Sequence, residues 1–293
     1  MKKILITGHT GFLGTHLANK LMKQYYVLGI SKNSTRLPIK QIRKDIVKIT
    51  ADEVPNDVYC IIHLAAITDV EYCQNNPAKC FQINAQGTQN MLEIARKINS
   101  KFLYLSTSHV YGHPKQLPIP EDHPRNPASI YATSKLVGEI IAESYARSYG
   151  MDVSILRLFS VYGIRSPPHL VIAKIIAQLL SNDVIELGNL YPRRDFVYID
   201  DVIASIALVM KKSKGFNVFN VGSGKSYSIL EICNMLKRLG GKNIRVKSLK
   251  SLSRKNEIKN ITSDSTKIKK LGWVPATTIH VGLQKTLQGF IGK

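Results

Sequence analysis

A chain of 293 residues with 44% hydrophobic and 21% charged residues can bury a sizeable core and has an ordinary soluble composition, which excludes an intrinsically disordered chain. Its 41 Lys and Arg against 20 Asp and Glu give a formal charge of +21, concentrated toward the C-terminus: between Lys211 and Lys270, 16 basic residues face only Glu231, Glu257 and Asp264. A solvated Lys-rich surface, a field that draws in an anionic substrate, and contact with nucleic acid all fit that excess.

The chain opens with Met1-Lys2-Lys3 and an apolar run, which Gly8, Gly11 and Gly14 interrupt too early for a leader peptide. Later apolar stretches, such as Val202 to Met210, fall short of the roughly 18 to 20 residues of a membrane span. The expectation is a cytoplasmic protein with no membrane partner. Lys3 to Thr7 reads as a strand, Phe12 to Gln24 as a helix, and Tyr26 to Ile30, Ile46 to Ile49 and Val58 to Leu64 as further strands. A helix from about Pro77 to Asn99 follows, then a strand at Lys101 to Ser106, a helix at Ser129 to Tyr149 and a strand at Val153 to Phe159. Strand and helix alternating at this spacing predict a doubly wound parallel sheet with helices on both faces.

Pro, Gly and His gather between Gly112 and Pro127 and between Gly163 and His169, marking loops at the C-terminal side of strands, where open α/β sheets place ligands. After residue 165 the pattern loosens, with helices near Leu170 to Leu180, Asp201 to Lys211 and Ser228 to Leu239. This divides the chain into a dinucleotide-binding unit over 1–165 and a smaller, mixed α/β substrate-binding unit over 166–293, some of whose segments return to the first. Cys60, Cys73, Cys80 and Cys233 have no metal-ligand spacing and read as buried, reduced thiols. His63 reads as structural at a strand end, and His113, His123 and His169 as loop residues.

Two segments carry chemistry. Gly8-His9-Thr10-Gly11-Phe12-Leu13-Gly14 follows a strand and opens a helix. Glycines there permit a tight turn and a close approach of a pyrophosphate to backbone N–H groups at the helix start. The second strand ends in Ser31, where dinucleotide sites commonly carry a carboxylate for the adenosine ribose. Lys32 and Arg36 nearby could pair with a 2′-phosphate, so NAD and NADP both remain open, with a lean to NADP. The other segment is Tyr131-Ala132-Thr133-Ser134-Lys135: four-residue spacing puts phenol and ammonium on one helix face, and a neighbouring cation is expected to lower the phenol's pKa.

In combination these motifs resemble the extended short-chain dehydrogenase/reductase family, of the NAD-dependent epimerase/dehydratase type. The resemblance runs through the glycine segment, His63-Leu64-Ala65-Ala66, Ser106-Thr107-Ser108-His109-Val110-Tyr111-Gly112, the Tyr131/Lys135 pair, Arg194 to Asp201, Asn220-Val221-Gly222 and Leu271-Gly272-Trp273. It implies a Rossmann-type domain, a nicotinamide dinucleotide, a nucleoside-diphosphate sugar and a homodimer formed by the Pro77 to Asn99 and Ser129 to Tyr149 helices. By the same resemblance Thr107 bonds the reacting sugar oxygen, Lys135 holds the nicotinamide ribose, Asp45 and Ile46 flank adenine, and Leu64, Ala65 and Ala66 line the cofactor. Arg194 and Arg254 are implied to clamp the diphosphate.

Departures narrow the chemistry. The dehydratases of that family carry an acidic pair where this chain has Ser108 and His109, so dehydration is disfavoured and both residues read as substrate-pocket lining. Ser160 stands where asparagine is usual before Val-Tyr-Gly, altering contacts to the substrate. The leading expectation is a sugar-nucleotide 4-epimerase acting by transient C4 oxidation, as in UDP-glucose 4-epimerases. Its rival is an NADPH-dependent reductase of 4-keto-6-deoxy sugar nucleotides. From a different class, a basic dinucleotide-sensing or nucleic-acid-binding module would need none of Thr107, Tyr131 and Lys135.

Overall fold

The computed structural model describes residues 1–252 and 257–292. Its first strand, β1 (Lys3–Thr7), places Ile4, Leu5 and Ile6 on alternate faces, all fully buried, as a strand covered by helices on both sides requires. Helix α1 (Phe12–Leu21) returns the chain to β2 (Tyr26–Ile30), and β3 (Lys40–Ile42) follows at the edge. Next come β4 (Val58–His63), α2 (Val70–Asn75), α3 (Pro77–Phe81), α4 (Gly87–Lys97) and β5 (Lys101–Thr107). Helix α5 (Ile130–Tyr149) and strand β6 (Val153–Leu158) complete the regular alternation.

The remainder adds β7 (Ser160–Tyr162), α6 (Val171–Ser181), β8 (Val184–Leu187), β9 (Arg193–Tyr198), α7 (Ile199–Lys212) and β10 (Phe216–Val221). It ends with β11 (Ser226–Ser228), α8 (Ile229–Leu239), β12 (Arg245–Ser248), β13 (Asn260–Ile261), α9 (Thr266–Leu271) and α10 (Ile279–Ile291). The main sheet has seven strands in the order β10-β6-β5-β4-β1-β2-β3, every pair parallel. Strand order reverses about β1, which puts a crevice beyond the C-terminal ends of β1 and β4. A smaller sheet sets β9 between β11 and β13, with β7 also pairing to β9, and β8 pairs with β12.

Two sides of the main sheet are covered differently. Ile4, Ile6, Val27, Leu103 and Leu156 face α1 and α7, and their core continues into α6 and α8 of the smaller unit. Leu5, Leu28, Ile61, Tyr104 and Ile155 face α4 and α5. Although α7 and β10 lie late in the chain, α7 packs on α1 and β10 closes the sheet beside β6. Asp201 of α7 also ties down the following connection: its carboxylate accepts from the N–H groups of Ala276 and Thr277, and its carbonyl accepts from the Trp273 indole.

Two expectations are corrected. Residues 46–49 form a turn, and the third strand is β3. Ile46 and Ile49 are buried, which produced the strand-like pattern, but their carbonyls accept from the Asn90 side chain instead of a neighbouring strand. The long helix from Pro77 is also not uniform: between α3 and α4, Gln82–Gln86 winds as a π-helix. That local widening turns Asn84 inward, where it bonds the backbone N–H and carbonyl of Ile67 and the Ser134 hydroxyl.

Candidate active site

The turn from β1 into α1 is built by contacts that only glycine permits. Gly8 has φ +69°, and a Cβ there would lie 2.9 Å from Ala65 backbone atoms. A Cβ on Gly14 would fall 2.2 Å from the Gly8 carbonyl oxygen. Gly11 donates its N–H to that same oxygen at 3.0 Å and begins α1 without a side-chain cap. No acidic residue occupies the first turn of α1, so Phe12, Leu13 and Gly14 present backbone N–H groups and a positive helix end to an anion. This cradle fits a dinucleotide pyrophosphate.

At the end of β2 the Ser31 hydroxyl meets that of Thr10 at 2.8 Å. Lys32 reaches the Asp45 carboxylate at 3.7 Å, which joins two of the residues expected at the adenosine end. Ile46 is buried against Gly87, and Arg36 is exposed on the loop after β2. On the opposite wall, Thr7 fixes the connection after β4, its Oγ1 accepting from the N–H groups of Leu64 and Ala65. Ala66 follows, half-buried. His63 holds Thr7 and Thr88 through its two ring nitrogens and stacks on Phe102 and Tyr104. Burial pushes its pKa down to about 3, so it is a neutral structural residue.

Thr107 ends β5 and accepts the His109 N–H at 3.2 Å, starting the short turn Ser108–Tyr111. Ser129 caps α5 by accepting the Ala132 N–H, which sets Tyr131 in its first turn. The Thr107 hydroxyl lies beside the Tyr131 phenol, and the His109 ring meets the Tyr131 ring edge to face at 6.2 Å. Lys135, 3% exposed, holds its ammonium 4.1 Å from the centroid of the Tyr104 ring. Thr107 and Tyr131 are therefore brought together, and Lys135 lies one turn further along the same helix, against Tyr104.

Their electrostatics differ from the sequence expectation. Burial pushes Tyr131 up to about 12, with the Thr107 hydroxyl partly offsetting it. Burial also pushes Lys135 down to about 7, while the negative Glu139 acts in the opposite sense. A fully buried ammonium is costly, and it loses part of its charge at neutral pH instead of depressing the phenol.

Glu139 lies one further turn along α5 and was not singled out from the sequence. Its carboxylate is fully buried, accepts from Ser106, and forms a two-point ion pair with Arg157, with Nη2 to Oε2 at 2.7 Å and Nε to Oε1 at 3.0 Å. Arg157 continues to the Tyr111 hydroxyl at 2.8 Å, and Tyr111 donates to Asn220 at 2.7 Å. The floor of the site is thus one connected polar network spanning β5, α5, β6 and β10. Asn84 was missed as well, because the signal that it turns inward is the π-helix. His9, buried below the glycine turn, fills the space that a side chain at Gly29 would occupy.

The other candidates fall on the smaller unit or its border. Ser108 is buried beside Thr107, and Ser160 in β7 stands opposite Phe196 of β9. Arg194, two residues earlier on β9, donates to the Ile258 carbonyl at 2.7 Å and approaches Glu257 at 3.6 Å. Arg254 lies outside the described residues. All four cysteines are free and buried. Cys73 and Cys80 touch each other behind Tyr131, and burial pushes Cys73 up to about 12, which leaves it an inert thiol. Among the described residues no group of acids, histidines and cysteines is arranged to hold a metal, and no helix is long and apolar enough to cross a membrane.

The sequence profile of the NAD dependent epimerase/dehydratase family matches residues 4–222, from β1 through the end of β10. The chain belongs to this family. Among its epimerase/dehydratase relatives, a UDP-glucuronate 4-epimerase of Thermodesulfobacterium geofontis is 33% identical over 310 residues, covering 97% of this chain and 94% of its own. Two solved structures cover 99% of both chains. UDP-glucuronic acid 4-epimerase of Bacillus cereus, in complex with UDP-glucuronic acid and NAD, has a TM-score of 0.91 and 31% identity. UDP-glucose 4-epimerase of Thermotoga maritima, with UDP-glucose, has a TM-score of 0.90 and 29% identity. An epimerase/dehydratase architecture therefore extends over the whole chain, including the part beyond the matched segment.

Proposed function

We propose that this epimerase/dehydratase is a 4-epimerase of a UDP-linked sugar. The observation that carries this reading is Tyr131 and Lys135 on one face of α5 with Thr107 beside the phenol, at the sheet end that also carries the glycine cradle. Gly8, Thr10, Gly11, Phe12, Leu13 and Gly14 hold the pyrophosphate of the dinucleotide, Ser31 with Thr10 and Asp45 with Ile46 its adenosine end, and Lys135 its nicotinamide ribose. Leu64, Ala65 and Ala66 form the opposite wall. Bound nicotinamide supplies a hydride acceptor that becomes a donor once reduced.

The chain's own groups manage the proton and the substrate. Thr107 donates to or accepts from the C4 oxygen and fixes it against the Tyr131 phenol. Tyr131 removes the C4 hydroxyl proton and later returns it; the reaction is redox-neutral because the hydride lost from C4 would be given back to the same carbon. Burial holds both Tyr131 and Lys135 toward their neutral forms, and Glu139, without touching the sugar, opposes this at Lys135 by favouring its charged form. Arg194 and Arg254 pair with the diphosphate by their planar forks. Ser108, His109 and Ser160 line the sugar; with no carboxylate at positions 108 and 109, there is no acid and base pair for elimination of water.

NAD is the proposed cofactor. Lys32 is occupied with Asp45, which removes one cation from a 2′-phosphate, and the Bacillus cereus relative binds NAD. The absence of a carboxylate at Ser31 favours the second reading, NADPH-dependent reduction of a 4-keto-6-deoxy sugar nucleotide. A panel of UDP-, GDP-, CDP- and dTDP-sugars tested with both dinucleotides separates them. Interconversion of C4 epimers with the dinucleotide retained through purification supports the epimerase; stoichiometric NADPH oxidation with a keto sugar overturns it. We also propose a homodimer through the helical segment from α3 to α4 and through α5, where Phe81, Ala85, Val137 and Ile141 line an open groove and Ile140 is 52% exposed. Sedimentation of Ile140→Glu/Ile141→Glu as a monomer would support that assembly.

A further inference from the structure

The glycine cradle and Tyr131 occupy the C-terminal end of the main sheet. At the opposite end, where strands begin and helices finish, cations gather in a continuous layer. Lys2 lies 3.8 Å from the centroid of the Tyr59 ring, and Lys101, at the start of β5, approaches the same ring at 5.6 Å. Lys101 also bonds the Ser213 carbonyl, which joins it to the connection entering β10. There Lys212 and Lys214, with Lys267 and Lys270 of α9, line a shallow groove beside Phe219. Lys211 bridges to the far side, 5.9 Å from the Tyr25 ring and within reach of Gln24.

Nearby acids offset little of this charge. Asp57 and Asp152 are paired with Lys3 and Lys101, and Asp264 faces Lys269 and Lys270 from the start of α9. Helix dipoles account for part of the pattern, since Lys211 and Lys212 close α7 and Lys270 closes α9. They do not account for Lys2, Lys3 and Lys101, which precede or begin strands, or for Lys214 in a connection. Lys3 and Lys101 are compensated by those pairs, but with 20 Asp and Glu in the whole chain, Lys2, Lys212, Lys214, Lys267 and Lys270 stand in no ion pair among the described residues.

We infer that this face is a docking surface for an anionic lipid bilayer, on which the protein adsorbs peripherally with its active-site end turned toward solvent. From β10 to β2 the face spans six strands, about 24 Å at the usual strand spacing, and it is broad where a nucleic-acid strand would need a tracking groove. The unpaired cations named here are lysines, point charges suited to diffuse attraction by headgroups, while Arg96 and Arg147, which close α4 and α5 at the same end, are paired with Glu93 and Glu143. Tyr26 is 45% exposed and Tyr25 and Tyr59 are half-buried on the same face, which suits rings that settle at headgroup level.

Co-sedimentation of the full chain with vesicles tests this. Vesicles of equal parts phosphatidylglycerol and phosphatidylcholine should carry the protein down at low salt, phosphatidylcholine alone should not, and high salt should release it. Lys214→Glu/Lys270→Glu should weaken binding at least tenfold, roughly, from the loss of attraction at two sites. Arg245→Glu/Lys247→Glu, with the same change in net charge on exposed β12, should bind like the unaltered protein. Unchanged thermal unfolding of both variants shows that the comparison is between folded chains. Absence of binding to the anionic vesicles at low salt, equal loss in both variants, or displacement from vesicles by a smaller amount of single-stranded RNA phosphate than of lipid phosphate would overturn the proposal.

Discussion

Gly14 packs so closely on Gly8 that a Cβ at position 14 would stand 2.2 Å from the Gly8 carbonyl oxygen. The obstacle is backbone, not the movable end of a side chain, so the turn must open to admit it. Gly14→Ala should therefore displace the N–H groups at the start of α1 and weaken dinucleotide binding at least tenfold, roughly, while the overpacking costs about 1–3 kcal/mol of stability. Calorimetric titration with NAD and urea unfolding measure the two effects; unchanged affinity would remove the cradle from the proposed cofactor site.

Glu139 and Arg157 make the second test. Glu139→Gln removes the buried negative charge and leaves Arg157 charged in the same enclosure, an imbalance that costs about 3–5 kcal/mol. Urea unfolding should show that loss. The double variant Glu139→Leu/Arg157→Met, which removes both charges, should recover much of it, since neither partner is then left alone. If the single and double variants lose equal stability, the network below Tyr131 is not held by the ion pair.

How much of this was legible in the sequence depends on what made each signal. The main-sheet strands that bury both faces, such as Ile4 to Ile6 and Ile61 to Ile62, stood out because continuous apolar runs between turn residues leave few alternatives. Ile46 and Ile49 carried the same signal for another reason: Asn90, more than 40 residues away, satisfies their carbonyls, and a pattern of apolar residues does not report where carbonyls find donors. Tyr131 and Lys135 were readable from helical spacing. The expectation that Lys135 lowers the Tyr131 pKa was not met, because spacing places two groups on one face but says nothing of burial, which moves both toward their neutral forms. Glu139 continues the same spacing, but its importance depends on Ser106 and Arg157, which come from other strands.

The Lys32–Asp45 pair gives a cofactor test. It is exposed on the lysine side, so its strength is modest, and removing it should act chiefly by freeing the cation. Asp45→Asn should raise the affinity for NADP relative to NAD by about threefold, on top of any loss common to both dinucleotides from the altered adenosine end. Parallel titrations of the two dinucleotides measure the ratio. An unchanged ratio would mean that Lys32 does not reach the 2′ position of the adenosine ribose.

Tyr131→Phe keeps the ring against His109 and removes the group proposed to carry the proton. Turnover of the epimerised sugar should fall by about 10²–10⁴-fold, the usual contribution of a positioned acid or base, while dinucleotide binding persists. Single-turnover measurements with retained cofactor distinguish lost chemistry from lost binding. Activity within a few-fold of the unaltered protein would remove Tyr131 from the proposed role.

Lys135 provides a pH test of burial itself in the cofactor-free protein. Its pKa is about 7 in the folded chain and near the ordinary 10.5 when unfolded. Between those values the unfolded chain binds a proton that the folded chain does not, so this group makes stability rise with pH from about 7 toward 10. Below pH 7 it is protonated in both states and contributes no slope. Tyr131 acts oppositely, but only above its ordinary value of 10, where the unfolded phenol ionises and the folded one, near 12, does not. Lys135→Met should therefore abolish a rising component of stability between pH 7 and 9.5, leaving the other titrations in place. Denaturant unfolding of both proteins across that window measures the difference; parallel curves would show that Lys135 keeps its proton on folding, contrary to a pKa set by desolvation.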